Sequence, residues 1–309
     1  MSTHEDMTGE NDAPSIPVLA EPPKPQYLQA GSSSMATLRV TYEAMATLAM
    51  GKTRDDREVI QRSIDGLRAH PEAAAKSAYS IPFKTHTDDC KKRPWAARKN
   101  CACPISWVRG PSVNLALWVA GEWKYCVEGA RVFPSGDDNG EATVEGFFLD
   151  LVNVRMVVRQ RIVSRFRKKR DGSSYHISQD DYWQEVERNA SKMHRNAVLK
   201  GIPRHVIQPV YETGLAIHKE MIQEEGIAET WGRVLGFFSE RGVTEEMVCR
   251  LMGKSGFEEV RAEDVANLRH LVQSIGAGFQ SIGEVFQMPD NASPPVGDVG
   301  GAASTERED

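Results

Sequence analysis

Between about Leu38 and Leu67 apolar residues recur at helical spacing, interrupted once at Gly51. The pattern predicts a helical hairpin whose second arm opens at a capping box from Thr53 to Asp56. From Tyr79 to Phe166 the period shortens toward two. Tyr79-Ser80-Ile81-Pro82-Phe83 reads as a short strand, and Pro111 to Glu122 reads as a helix opened by Gly-Pro-Ser. Three strands follow, over 125–134, 142–151 and 154–167, the first two joined by the turn-rich Gly136-Asp137-Asp138-Asn139-Gly140. Helical spacing returns at 180–200, where Trp183, Val186, Ala190, Met193 and Ala197 share one face. A link at Gly201-Ile202-Pro203 leads to a helix near 206–225, and 228–286 reads as a small helical module. The predicted fold class is α+β: a three-stranded antiparallel β-meander packed with helices, plus a small C-terminal all-helical module.

Both ends read differently. Residues 1–37 form an acidic, proline-rich tail and 287–309 a second tail with Pro289, Pro294 and Pro295; neither carries enough apolar surface to offset the entropy of ordering. No apolar run approaches the ~20 residues of a membrane span, and the N-terminus lacks a secretory pattern. Five cysteines, at 90, 101, 103, 126 and 249, are too few and too unevenly placed for a disulfide framework, which points to a reducing cytoplasm.

The net charge of −5 over 309 residues conceals a segregation. Residues 1–75 carry 7 basic and 11 acidic side chains, 76–211 carry 23 and 14, and 212–309 carry 8 and 18. A basic middle between acidic flanks fits a polyanion-binding region with partner-binding parts attached, because the local field steers a phosphate backbone.

The third strand sharpens this. Arg155, Arg159, Arg161, Arg165 and Arg167 are odd-numbered, whereas Met156, Val158, Ile162 and Phe166 are even. Alternation puts the guanidinium groups on one face, ~6.6–7 Å apart for neighbours two residues removed, near the phosphate spacing of an extended single strand. Lys168, Lys169 and Arg170 extend the row, and Tyr175 is placed to stack on a base. The alternative is a solvated face paired across the hairpin with Glu141 and Glu145. Trp118 and Trp183, on apolar helix faces, read as core.

Two further constellations stand out. His86, Cys90, Cys101 and Cys103 form an H-x3-C-x10-C-x-C set of imidazole and thiolate donors, the chemistry of a structural zinc site, although not one of the paired C-x-x-C spacings. Ala49-Met50-Gly51-Lys52-Thr53, preceded by Ala46, resembles a nucleotide loop ending Gly-Lys-Thr. Its approach is helical, where a phosphate cradle needs a buried strand. No nucleophile elbow, H-E-x-x-H or paired-carboxylate motif occurs, and His176, His194 and His205 read as structural groups. Nothing requires an enzyme.

Tyr79-Ser-Ile-Pro-Phe83, Gly110-Pro-Ser112-Val113, Val144-Glu-Gly146 with Asp150, and Ala190-Ser-Lys192-Met-His-Arg195-Asn196-Ala-Val-Leu199 with Ile202-Pro203 resemble the core of phage-encoded recombination proteins. The likeness is to the broad RecT/Redβ class of single-strand DNA annealing proteins and covers about residues 76–211; the loop 86–103 departs from the class. The resemblance implies ATP-independent DNA binding and strand annealing in phage-type recombination and repair, within a bacterial cytoplasm. It also implies a homo-oligomer, ring or filament, holding single-stranded DNA and the annealed duplex. No cofactor is required beyond a possible structural zinc. On this reading residues 38–226 are the nucleic-acid-binding and oligomerisation core. Lys192 and Arg195 clamp phosphates from the helix side of a groove whose other wall is the arginine strand, and Asn196 holds a backbone group or base edge. Within the acidic module over 227–286, Gly242-Val-Thr-Glu-Glu-Met-Val-Cys-Arg-Leu-Met-Gly253 and Val265-Ala-Asn-Leu268 through Phe286 resemble a small helical module at the ends of such proteins. It is expected to be separable, a docking site for a recombination nuclease or a single-strand-binding protein. A zinc-stabilised nucleic-acid-binding adaptor without annealing activity and a nucleotide hydrolase are the competing readings.

Overall fold

A computed structural model describes residues 43–94, 101, 103–134, 140–168, 173–277 and 279–286; both tails lie outside this set. Helix α1, over 43–49, turns at Gly51 with φ +71° into α2 (Asp56–Ala69). The helical hairpin is present, but its second arm is capped by Asp55, whose carboxylate accepts from the Arg57 amide, and not by Thr53. After α3 (Pro71–Ala75), strand β1 (Ala78–Lys84) pairs antiparallel with β2 (Ile105–Pro111), Tyr79 standing opposite Gly110. Strand β2 has no counterpart in the sequence reading, because it ends in the Gly110-Pro111 that reads locally as a helix start. The far end of this hairpin carries the short helix α4 (Asp88–Lys92). Helix α5 (Val113–Trp123) follows, capped by Ser112, whose Oγ accepts from the Leu115 amide.

The meander forms as expected. Strands β3 (Cys126–Pro134), β4 (Glu141–Asp150) and β5 (Arg155–Ser164) make an antiparallel sheet in the order β3-β4-β5. The third strand is shorter than the 154–167 of the sequence reading. It stops at Ser164, and β6 (Phe166–Lys168) pairs instead with β7 (Ser174–His176). Helix α6 (Gln179–Gly201) then lies directly on the sheet. A Cβ on Gly146 would sit 2.1 Å from the Met193 carbonyl carbon, so only glycine lets strand and helix backbones approach this closely. Ala142, Val144 and Val163 pack beneath α6 against Tyr182, Val186, Ala190 and Met193. Tyr182 takes the core place expected of Trp183, which is 42% exposed.

Helices α7 (Arg204–Glu225), α8 (Ile227–Ser239), α9 (Glu245–Met252), α10 (Ala262–Gly276) and α11 (Ile282–Phe286) complete the described residues. The last four bury Trp231, Phe238, Val248, Leu268 and Leu271 in a core of their own. Separability at Gly226 is nevertheless not what the packing favours. Ile222 of α7 is part of that same core, and Ile105 and Trp107 of β2 lie against it. Ser80 Oγ donates to Asn267 Oδ1 at 3.1 Å in a buried contact, and His218 stacks with His270 at 4.8 Å between ring centroids. Among the described residues no helix is long and apolar enough to cross a membrane.

Candidate nucleic-acid interface and metal centre

Cross-strand partners share a face, so the register decides where the arginines point. Arg159 stands opposite Gly146 and Arg161 opposite Val144, both of which face α6. The first part of the arginine row therefore lies on the helix side of the sheet, exposed because β5 is its edge strand. The even-numbered residues face away from α6 and are uncovered: Met156 is 54% and Ile162 65% exposed. Glu145 is on that outer face, where it pairs with Arg131 at 3.9 Å and accepts from Gln160. The cross-strand pairing of the arginines with Glu141 and Glu145 is therefore not made.

The row of five is broken by function and by geometry. Arg155, Arg159 and Arg161 have no carboxylate partner among the described residues. Arg165 instead braces the chain: its amide donates to Gly140 O, its carbonyl accepts from Ile177, and its guanidinium donates to Ile177 O at 3.3 Å. Arg167 is ion-paired with Glu185 of α6. Lys168 closes β6, while Lys169 and Arg170 lie outside the described residues. Tyr175 is exposed on β7, beside the Phe166–His176 ring contact.

Helix α6 separates the residues expected to act together. Asn196 and Lys200 line a groove with Arg159, and a second groove, which shares Leu199 and Lys200 with it, is lined by Arg155, Arg204, Arg109 and Tyr211. Lys192 and Arg195 are on the other flank, in a pocket shared with Arg188, Tyr79 and α10. The single clamp of Lys192, Arg195 and Asn196 is corrected accordingly: consecutive helical residues diverge by about 100°, so Asn196 lines the groove with Arg159 while Lys192 and Arg195 line the other pocket, the Arg195 guanidinium bending back to donate to Asn196 Oδ1. That spacing also offered a signal for the missed residues. Asn196 and Lys200 are four apart, as are Arg188 and Lys192, and each pair shares a flank.

Of the cations missed, Lys200 and Arg204 have no carboxylate partner among the described residues, while Arg109 meets Glu263 of α10 at 2.5 Å. No family model, curated protein or solved structure matches the chain.

Pairing of β1 with β2 brings the four soft donors together. The ligand atoms of His86, Cys90, Cys101 and Cys103 all lie within 4.8 Å of one another, and His86 Nδ1 is 3.3 Å from both Cys90 Sγ and Cys101 Sγ. Thr87 caps α4 by accepting from the Cys90 amide, which turns the thiol inward. A backbone hydrogen bond from Thr87, with the His86 contact, pulls the Cys103 thiol down to about 6, whereas burial and the neighbouring thiols push Cys90 up to about 11. One imidazole and three thiols, one already inclined to ionise, could hold a metal ion.

The remaining sequence candidates have structural partners. Gly51-Lys52-Thr53 follows helix α1, so the segment lacks the strand that a phosphate loop requires. His194 pairs with Glu128, and His205 meets Asp56 at 2.8 Å.

Proposed function

We propose that the protein binds single-stranded DNA along the groove between β5 and α6 and anneals complementary strands without ATP, as a homo-oligomer of the RecT/Redβ kind. One observation carries the reading: Arg159 and Lys200 line one groove, Lys200, Arg155 and Arg204 line a neighbouring one that shares Leu199 and Lys200 with it, and none of these cations is neutralised by a carboxylate among the described residues. Unpaired cations on an edge strand and on the helix ends beside it track a phosphate backbone without reading sequence. Tyr211 offers a ring in the second groove. Annealing without hydrolysis asks the protein only to hold two strands extended with bases accessible.

The cluster at the end of the β1–β2 hairpin holds zinc in this reading, with His86, Cys90, Cys101 and Cys103 as its four ligands. Its role is structural, tying together the chain at the end of the β1–β2 hairpin. Purified protein should contain about one zinc per chain by elemental analysis, and chelation should lower its melting temperature.

Mixing labelled complementary oligonucleotides with the protein, without nucleotide, tests the function. Duplex should form faster than in its absence, with rings or filaments visible by electron microscopy. Tight binding without acceleration would favour the zinc-stabilised adaptor, and phosphate release from ATP would favour a hydrolase.

A further inference from the structure

A second basic pocket, on the flank of α6 away from Arg159, has no part in the reading above. Its walls are Ile81 and Val108 of the hairpin, Val113 of α5 and Phe279 beyond α10. Its charged groups are Lys76, Arg188, Lys192 and Arg195, and none of these has a carboxylate partner among the described residues. Arg195 is the informative one. Its guanidinium stacks on the Tyr79 ring at 4.8 Å and, among the described residues, donates only to the neighbouring Asn196 Oδ1, at 3.1 and 3.3 Å. Burial works against its charge and moves its pKa down. A largely desolvated guanidinium beside three other unpaired cations calls for an anion to complete it.

We propose that the acidic C-terminal segment of the same chain, residues 287–309, occupies this pocket. The segment carries Asp290, Asp298, Glu306, Glu308 and Asp309 against the single Arg307, a side-chain charge of −4 facing four cations. Met288, Val296 and Val299 are interspersed with these acids, as a pocket with both apolar walls and a cationic lining requires. Reach is no obstacle. Phe279 lines the pocket, and Phe286 follows it by seven residues, at most ~25 Å of chain. Twenty-three further residues span up to ~80 Å when extended. Tethering at millimolar effective concentration makes even weak charge pairing sufficient. The pocket thus binds an acidic, partly apolar peptide, and its resident ligand is the segment 287–309 of the same chain.

Zero-length carbodiimide cross-linking of the full-length protein, followed by peptide mapping, tests this directly and does not depend on DNA. Carboxylates of 287–309 should link to Lys192 and Lys76. The links should form within one chain when isotopically labelled and unlabelled protein are mixed. Raising salt from about 0.1 to 0.5 M should cut their yield severalfold. Arg188→Gln, at an exposed position that leaves the core untouched, should do the same at low salt. Linkage of Lys192 and Lys76 to the acidic residues of 1–42, links only between chains, or tail links confined to Lys200 would each overturn the proposal. The annealing assay can fail with these links intact, and the links can be absent from an active protein, so the two readings are judged separately.

Discussion

Arg54 and Asp150, 96 residues apart in sequence, form a bidentate ion pair at 2.9 and 3.1 Å with side chains only 7% and 3% exposed. Arg54 also donates to the carbonyls of Trp123 and Lys124 and lies 4.0 Å over the Trp123 ring. Asp150 accepts in addition from the Trp123 indole, the Val152 and Asn153 amides and the Asn153 side chain. The pair thereby ties the loop before α2 to the end of α5 and to the turn from β4 into β5. That turn holds Val154 at φ +49°, an unfavourable conformation for a β-branched residue. The start of the arginine strand is positioned by this junction.

Breaking the junction on one side should be costly. Burial opposes ionisation of Asp150, but Arg54 and Asn153 outweigh it and hold the carboxyl below its usual range. Asp150→Asn leaves Arg54 buried without a counter-charge, and a loss of about 3–5 kcal/mol is expected in urea denaturation. Because the folded pKa is depressed, this contribution is complete above about pH 4 and is lost as pH falls through the folded value. A variant as stable as the wild type would show that the pair contributes little.

Replacing Arg155, Arg159 and Lys200 together with glutamine should weaken single-strand binding for all sequences alike. The slope of log K against log salt should fall by up to about 2, at ~0.7 per lost phosphate contact. Arg165→Gln, which removes a structural hydrogen bond to Ile177 O, should instead lower the melting temperature. Fluorescence anisotropy across a salt series separates the two, and an unchanged slope in the folded triple variant would count against the groove.

Gly146→Ala should force α6 off β4, since its Cβ would meet Met193 backbone at 2.1 Å, and overpacking of this kind costs about 1–3 kcal/mol or more. Gly232→Ala in α8 has nothing within 4 Å of the added carbon and should stabilise by up to ~1 kcal/mol. Paired thermal melts would show shifts of opposite sign.

Acid should loosen the C-terminal helices before it unfolds the rest. His218 and His270 are buried between α7 and α10, and none of their four ring nitrogens has a hydrogen-bond partner among the described residues. Burial, followed for His218 by the facing His270 and by Arg269, lowers the pKa of His218 to about 3. Burial also dominates for His270, lowering it to about 4 against a backbone contact at Ala75, with Arg269 and Arg109 adding to the depression. Both rings are neutral when docked, so stability is complete above about pH 6.5 and falls as pH drops toward 4, by on the order of 1 kcal/mol per unit for each ring. Hydrogen exchange at pH 7 and pH 5 should show α10 opening selectively at the lower value. His218→Leu with His270→Leu should flatten that difference.

The sequence by itself determined which residues share a face. A period of two put Arg155, Arg159 and Arg161 on one side of a strand and Met156, Val158 and Ile162 on the other. A period near 3.6 gave α6 its buried line of Val186, Ala190, Met193 and Ala197. The His86 and cysteine set was legible from donor chemistry alone. Such patterns depend only on bond geometry within a few residues. Tertiary structure decided which faces meet. The β4–β5 register turned the arginines toward α6, the anchoring at Gly140 and Ile177 withdrew Arg165 from the row, and α6 set Lys192 and Arg195 in a different pocket from the one Asn196 lines. The unforeseen pairing of β1 with β2 closed the four-donor cluster, and the seating of α10 on β1 and α7 bound the C-terminal helices to the rest. Each of these outcomes is set by packing between residues tens to more than a hundred positions apart, and a local period carries no record of such contacts.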